Sequence, residues 1–184
     1  MASVEGYSLA SISMESARLE TEIAALVETY SALLFRVAHS VLRSRGEAED
    51  VVQDLFVRVI ERRQSLPAIR DMRVWLVRIA WNLALDRRRR IRPEQFDESF
   101  AENLTASSVT ADEMLEQTQR MSLVLREMER LPKGERHVLL LSAIEELGTG
   151  EIAEVLGRSD SAVRALLFRA RTRLRGRLAG RVGE

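Results

Sequence analysis

The sequence predicts an all-α protein made of two small helical domains, an N-terminal helical bundle and a C-terminal helix-turn-helix, joined by an acidic flexible linker. Three observations predict it. Leu, Ala, Glu and Arg dominate the 184 residues, and no alternating β-branched run appears. Apolar residues recur at helical spacing in one segment after another. Two Arg-rich helical segments, Asn82–Arg90 and Val163–Arg175, flank residues 93–119, which hold seven carboxylates and no Lys or Arg. The length allows one or two small domains, each with a modest core.

Residues 1–18 are small and polar, and predict a mobile tail. From Leu19 the pattern changes: Ile23, Val27, Tyr30, Leu34, Val37 and Val41 describe one face of a long helix. Ser44-Arg-Gly-Glu47 reads as a capping box, with Ser44 accepting from the N3 amide and Glu47 reaching back. It opens a second helix with Val52, Leu55, Phe56, Val59 and Ile60 inward. Pro67 marks a loop through Asp71. A third helix, about Met72 to Arg90, buries Trp75, Leu76, Ile79, Ala80 and Leu83, and Pro93 stops it. Residues 19–92 thus form the first domain.

Residues 93–112 carry Ser, Thr, Asn and carboxylates without period and read as the linker. The second domain, 113–184, opens with a helix bearing Leu115, Met121, Leu125 and Met128 on one side, until Pro132. An apolar helix runs from Gly134 to Leu147. Thr149 caps a short helix, Gly150–Leu156, with Glu151 near its N-terminal dipole. Gly157 fits the left-handed C′ position. Ser159 or Asp160 caps the last helix, which runs to about Leu178.

With no cysteine, disulfides, thiolate zinc sites and thiol redox sensing are excluded. No apolar run approaches a membrane span, and the start lacks the basic n-region of a secretory signal, so a cytoplasmic protein without membrane insertion is expected. His39 and His137 are isolated, His39 on a polar helix face. No catalytic constellation, metal spacing or cofactor motif stands out, and a non-enzyme is expected. Twenty-eight basic residues balance twenty-eight acidic ones, so local charge separation carries the argument.

Three constellations are candidates for function. Thr149 to Val163 has the order of a helix-turn-helix: short helix, Gly turn, capped second helix. Ile152, Ala153 and Leu156 face Val163 and Leu167, leaving Ser161, Arg164, Phe168 and Arg169 toward a DNA groove. Arg171, Arg173 and Arg175 meet phosphates or keep a solvated face. An Arg takes guanine bidentately or a phosphate, and spacing does not distinguish the two. A three-helix packing unit with a basic surface is the plain alternative. On the third helix, Arg78, Asn82, Asp86 and Arg89 share one stripe. By spacing alone it fits a DNA-reading face and a solvated face with i,i+4 ion pairs equally. On the second helix, Asp50, Gln53 and Asp54 project away from Phe56 and Val59. Such an acidic, amide-bearing face suits a basic partner, although spacing by itself favours ordinary solvation.

Taken in order, Ala48-Glu-Asp-Val-Val-Gln-Asp54, Trp75-Leu-Val-Arg-Ile-Ala-Trp-Asn82-Leu-Ala-Leu-Asp86-Arg-Arg, Leu131-Pro132, Glu151-Ile-Ala153, Val163-Arg and Phe168-Arg-Ala-Arg171 resemble a bacterial sigma factor of the sigma-70 family, extracytoplasmic-function group. Each piece is weak alone, and their order over Tyr30 to Arg175 is specific. The resemblance implies regions two and four joined by a linker, with RNA polymerase core and promoter DNA as partners, and a separate inhibitor, an anti-sigma factor. Asp50, Gln53 and Asp54 then fall in the helix that docks on the clamp coiled coil of the polymerase largest subunit. Arg78, Asn82, Asp86, Arg87, Arg89 and Arg90 fall at the −10 element. The Leu66–Arg73 loop falls where the family captures an unstacked base. Ser161, Arg164, Phe168, Arg169 and Arg171 fall in the −35 helix, where Ala165 and Leu166 replace the Ser and Arg that relatives often carry. Trp75 matches a usually buried position. Through the resemblance, the acidic linker is expected to act as a strand mimic in a basic channel of the polymerase, the plain alternative being an inert tether kept soluble by its charge. An adaptor that titrates an anti-sigma factor without reading DNA has little use for Arg87–Arg90 and Arg164–Arg175. A stand-alone helix-turn-helix repressor leaves the Asp50, Gln53 and Asp54 face unexplained.

Overall fold

The computed structural model describes residues 9–91, 111–144 and 147–182. They form α1 (Leu9–Leu42), α2 (Arg45–Glu61), a 3-10 turn (Arg63–Ala68), α3 (Met72–Arg90), α4 (Ala111–Glu129), α5 (Lys133–Ile144), α6 (Thr149–Leu156) and α7 (Asp160–Val182), with no strand among the described residues.

In the first half, α1 packs on both α2 and α3. The interior comes from Leu34, Val37, Ala38 and Val41 of α1, Val51, Leu55 and Val59 of α2, and Val74, Leu76, Val77, Ala80, Trp81 and Ala84 of α3. Arg43 turns the chain out of α1 with φ 55°, a left-handed conformation that is costly for a residue with a Cβ. Its N–H donates to the His39 carbonyl at 2.8 Å, and its guanidinium pairs with Glu129 of α4 at 2.9 Å. Ser44 then caps α2, accepting from the Glu47 amide at 3.4 Å, and Asp71 caps α3, accepting from Val74 at 2.9 Å.

Several expectations are corrected here. The tail does not reach residue 18, because α1 already begins at Leu9: Leu, Ala, Met and Glu over 9–20 carry enough helix propensity to extend a helix that packing nucleates further on. Residues 1–8 lie outside the described ones. Glu47 does not close the capping box; its carboxylate is taken by Arg87 of α3. Ile60 faces outward at 43% exposure, and Val51 takes the inward position. On α3 the tryptophan at the centre is Trp81, with Trp75, Ile79 and Leu83 only half-buried. His39 is buried and stacks on Phe35, ring centroids 5.4 Å apart, on a helix that packs against α2, α3 and α5.

The expected linker lies outside the described residues up to 110, and Ala111 and Asp112 already belong to α4. In the second half Leu125, Met128, Val138, Leu141, Ile152, Val155, Val163, Leu167 and Ala170 are buried together. The cap of α6 is Gly148 rather than Thr149, with the Gly148 N–H donating to Glu151 at 2.7 Å. Gly157 ends α6 at φ 62°, ψ 43°, and the Arg158 N–H closes back on the Ala153 carbonyl at 2.8 Å. Ser159 caps α7 by accepting from Ala162 at 3.2 Å, and α7 continues past Leu178 to Val182.

The halves meet where α3 lies on α6 and α1 on α5. Trp81 and His137 make an edge contact at 5.0 Å, and Arg73 pairs with Glu151 at 3.2 Å. A cleft of about 370 Å³ between the halves is lined by Asn82, Leu85, Lys133, His137 and Arg158.

Candidate nucleic-acid and protein interfaces

On α3, Arg78, Asn82, Asp86 and Arg89 are all exposed, as their common stripe requires, with Arg89 and Asp86 paired at 3.3 Å. The four consecutive arginines do not share this surface, since successive residues point about 100° apart. Arg89 and Arg90 are exposed. Arg88 runs inward and donates to the Val41 carbonyl at 3.2 Å. Arg87 is held against α2 by Glu47, by Asp50 at 2.5 Å and by Asp54 at 3.4 Å. These bonds, Glu47 foremost, raise the Arg87 pKa, whereas desolvation lowers that of Arg88.

The outward face of α2 carries Asp50, Gln53 and Asp54, all exposed. Val57 at 54% exposure and Ile60 at 43% continue the same face. The sequence reading missed this apolar extension, although Asp50, Asp54, Val57 and Glu61 follow i, i+4, i+7, i+11 and so share a face. Between α2 and α3, Leu66 is half-buried and Pro67 and Ala68 are exposed, while Arg73 reaches across to α6.

The arginines of α7 divide into two faces. Ser161, Arg164, Phe168, Arg171 and Arg175 lie on one, where Thr149, Arg164, Phe168, Arg171 and Arg175 border a shallow groove of about 240 Å³. Arg164 pairs with Asp160 at 2.8 Å and Arg171 reaches Ser142 at 3.4 Å. Phe168 stands 73% exposed among these cations. Arg169, Arg173 and Arg177 form the second face at i, i+4, i+8. Arg169 and Arg173 lie 3.8 and 3.3 Å from the buried Glu135, and Arg177 lies 3.5 Å from the buried Glu127. This ladder ties α7 to α5 and α4. The available signal is partial: Glu135 stands in an apolar helix, where a carboxylate is seldom buried unless paired, while Glu127 lies in a polar one.

His137, at the contact between the halves, is depressed to about 4 by burial first and then by Arg136, Lys133, Arg88 and Arg158. The neutral form is therefore the folded one. Between its ordinary 6.5 and about 4, the unfolded chain takes a proton that the folded chain refuses, so stability falls as pH drops through that window. The expected loss near pH 4 is about 2 kcal/mol after allowing for partial exposure. Urea titrations at pH 7 and 4.5 check this: His137→Gln should flatten the pH dependence, and an unchanged slope would clear His137 of the effect.

Among the described residues, no group of three or more His, Cys, Asp or Glu is placed to hold a metal ion, and no helix is long and apolar enough to cross a membrane.

An acidic helix face, an Arg- and Asn-bearing helix beside it and a capped helix-turn-helix with a basic outer face together have the form of a DNA-binding transcription protein. Residues 26–94 match the family described as Sigma-70 region 2, and residues 121–174 match Sigma-70, region 4. The chain is 32% identical over 162 residues to the ECF RNA polymerase sigma factor SigW of Bacillus subtilis, covering 83% of this chain and 87% of that protein. It is 34% identical to the RNA polymerase sigma factor CnrH of Cupriavidus metallidurans, over 81% and 82% of the two chains. The solved CnrH, in complex with the cytosolic domain of CnrY, matches with TM-score 0.62 at 28% identity over 88% and 90% of the chains. The sigma factor RpoE of Bartonella quintana, solved with the anti-sigma factor NepR, shares the fold with TM-score 0.58 at 18% identity, over 88% and 97%.

The chain belongs to the extracytoplasmic-function sigma factors of bacterial RNA polymerase. It is a sigma factor, binding RNA polymerase core and directing promoter-specific transcription initiation.

Proposed function

We propose that three faces of the chain divide that work, within two helical domains, α1 to α3 and α4 to α7. Asp50, Gln53 and Asp54 of α2 dock on the polymerase core. Arg78, Asn82, Asp86, Arg89 and Arg90, with the 66–73 segment, meet the −10 element. Ser161, Arg164, Phe168 and Arg171 meet the −35 element. The observation that carries this reading is the separation of charge. Exposed carboxylates line α2, while exposed arginines line α3 and the outer face of α7. Cations suit phosphates, an Asn amide suits a base edge, and an exposed Phe suits a thymine methyl. Docking and promoter reading form or break no covalent bond in this scheme, and the sigma-factor relatives support a non-enzymatic initiation factor working in the cytoplasm. CnrH was solved in complex with the cytosolic domain of CnrY, which supports a further protein partner of that kind, read as an anti-sigma factor. The exposed arginines of α7 support DNA reading over an adaptor role.

Asn82→Ala is expected to lower open-complex formation more than initial duplex binding, because its amide reads a base while the arginines supply sequence-independent affinity. Permanganate footprinting at the −10 region reports it. Normal melting per bound complex would leave Asn82 without that role.

Arg164→Ala and Arg169→Ala should differ in kind. Arg164 lies in the first turns of α7, the part that enters the major groove, and its loss should cost about 1–3 kcal/mol of −35 binding. Arg169 flanks Glu135, and its loss should cost about 1 kcal/mol of stability with little effect on −35 preference. Binding of holoenzyme to a −35 library, with urea midpoints for both variants, separates the two. A shifted −35 preference for Arg169→Ala would return that residue to the DNA face.

A further inference from the structure

Arg87 belongs to a run of four arginines at the end of the −10 helix, yet its surroundings are those of α2. Its guanidinium uses each nitrogen on a different carboxylate: Nε on Glu47, Nη2 on Asp50 at 2.5 Å and Nη1 on Asp54 at 3.4 Å. The three acids stand at i, i+3 and i+7 of one helix face. Like charges at that spacing repel, and without a cation between them their side chains spread apart. The exposures are ordered as well. Arg87 is 29% exposed, whereas Asp50 and Asp54 are 51% and 58% exposed, so the arginine backs the carboxylates from the α3 side and leaves their outer edges open.

We propose that Arg87 is a positioning residue for polymerase docking: it gathers Glu47, Asp50 and Asp54 into one pre-arranged acidic cluster for a basic partner surface, and it does not contact promoter DNA. This rests on the assignment of Asp50 and Asp54 to the polymerase interface. The electrostatics weigh against a DNA role. Three carboxylates and one guanidinium leave the cluster at a net charge of −2, which repels a phosphate, and a phosphate contact would require stripping three existing ion pairs. A basic helix meets the opposite situation. It finds two half-exposed carboxylates already ordered, so less side-chain freedom is lost on docking. The planar fork of an arginine suits this task; a lysine ammonium is a point charge that cannot span the three acids in the same way.

The test is a cycle of four full-length proteins: the unmodified chain, Arg87→Gln, Asp50→Asn with Asp54→Asn, and the triple variant. Each is measured for core polymerase affinity, with circular dichroism to report folding. Arg87→Gln should weaken core binding about tenfold, within the range of a coupling between contacting groups. It should weaken it no further in the Asn/Asn background, because it acts through those two carboxylates. A purely structural role would lower affinity equally in both backgrounds and would overturn the proposal, as would unchanged affinity for Arg87→Gln. If the Asn/Asn protein binds core normally, the docking assignment itself fails, a result distinct from failure of the Arg87 role.

With saturating core, binding of single-stranded −10 DNA should keep its salt dependence in Arg87→Gln. A slope reduced by about 0.7 would reveal a phosphate contact and overturn the second half of the proposal. If Arg87→Gln does not fold, Arg87→Lys carries the same cycle, with an intermediate loss expected and no loss counting against the idea.

Discussion

Exchanging Asp50 and Asp54 for arginine together is expected to abolish binding of core polymerase while leaving a helical chain. Both residues are more than half exposed, so neither contributes an apolar contact to the interior of the α1–α3 bundle. The exchange turns two attractive charges repulsive toward a basic partner, and like-charge juxtaposition at an interface costs several kcal/mol. Arg87 would also lose two of its three counter-charges and repel the new arginines, which compounds the effect. Core affinity measured beside circular dichroism and a urea midpoint decides the matter. A folded double variant with normal affinity would remove α2 from the docking surface.

Trp81→Ala is expected to have the largest effect on stability. The side chain is 1% exposed, among the largest fully buried groups in the protein, and its ring edge contacts His137 of α5. Truncating a buried tryptophan costs about 3–5 kcal/mol. Small domains hold only about 5–15 kcal/mol in all. Trp75, one turn and a half earlier and half-buried, should cost distinctly less. Urea unfolding of both variants compares them directly, and equal losses would show that the two rings share the core. Since Asn82 follows Trp81 in α3, the Trp81 variant should also melt promoters poorly; addition of core should not restore it.

Much of this architecture is legible in the sequence. The α3 limits, Met72 to Arg90, follow from the loop that Pro67 marks and the stop at Pro93, and the turn before α7 from Gly157, whose left-handed backbone a glycine adopts at no steric cost. The exposed stripe of Arg78, Asn82, Asp86 and Arg89 follows from period alone. Elsewhere period is a poor guide. Residues 74–77, Val-Trp-Leu-Val, are apolar on every side, so spacing cannot say which tryptophan turns inward. Because α1 packs against α2, α3 and α5, His39 on the nominally polar face is enclosed.

What the sequence by itself determined is therefore local: helical content, caps, breaks, and which charges share a helix face, all set by interactions within a few residues. Only the tertiary structure decided how those charges are spent. Arg87 finds its carboxylates 33 to 40 positions away on α2, and Arg169, Arg173 and Arg177 find Glu135 and Glu127 on α5 and α4. An arginine facing solvent and one facing a distant carboxylate have the same letter and the same helical spacing. The difference lies in which helix packs alongside, and that is fixed by the joint burial of apolar faces across the whole core.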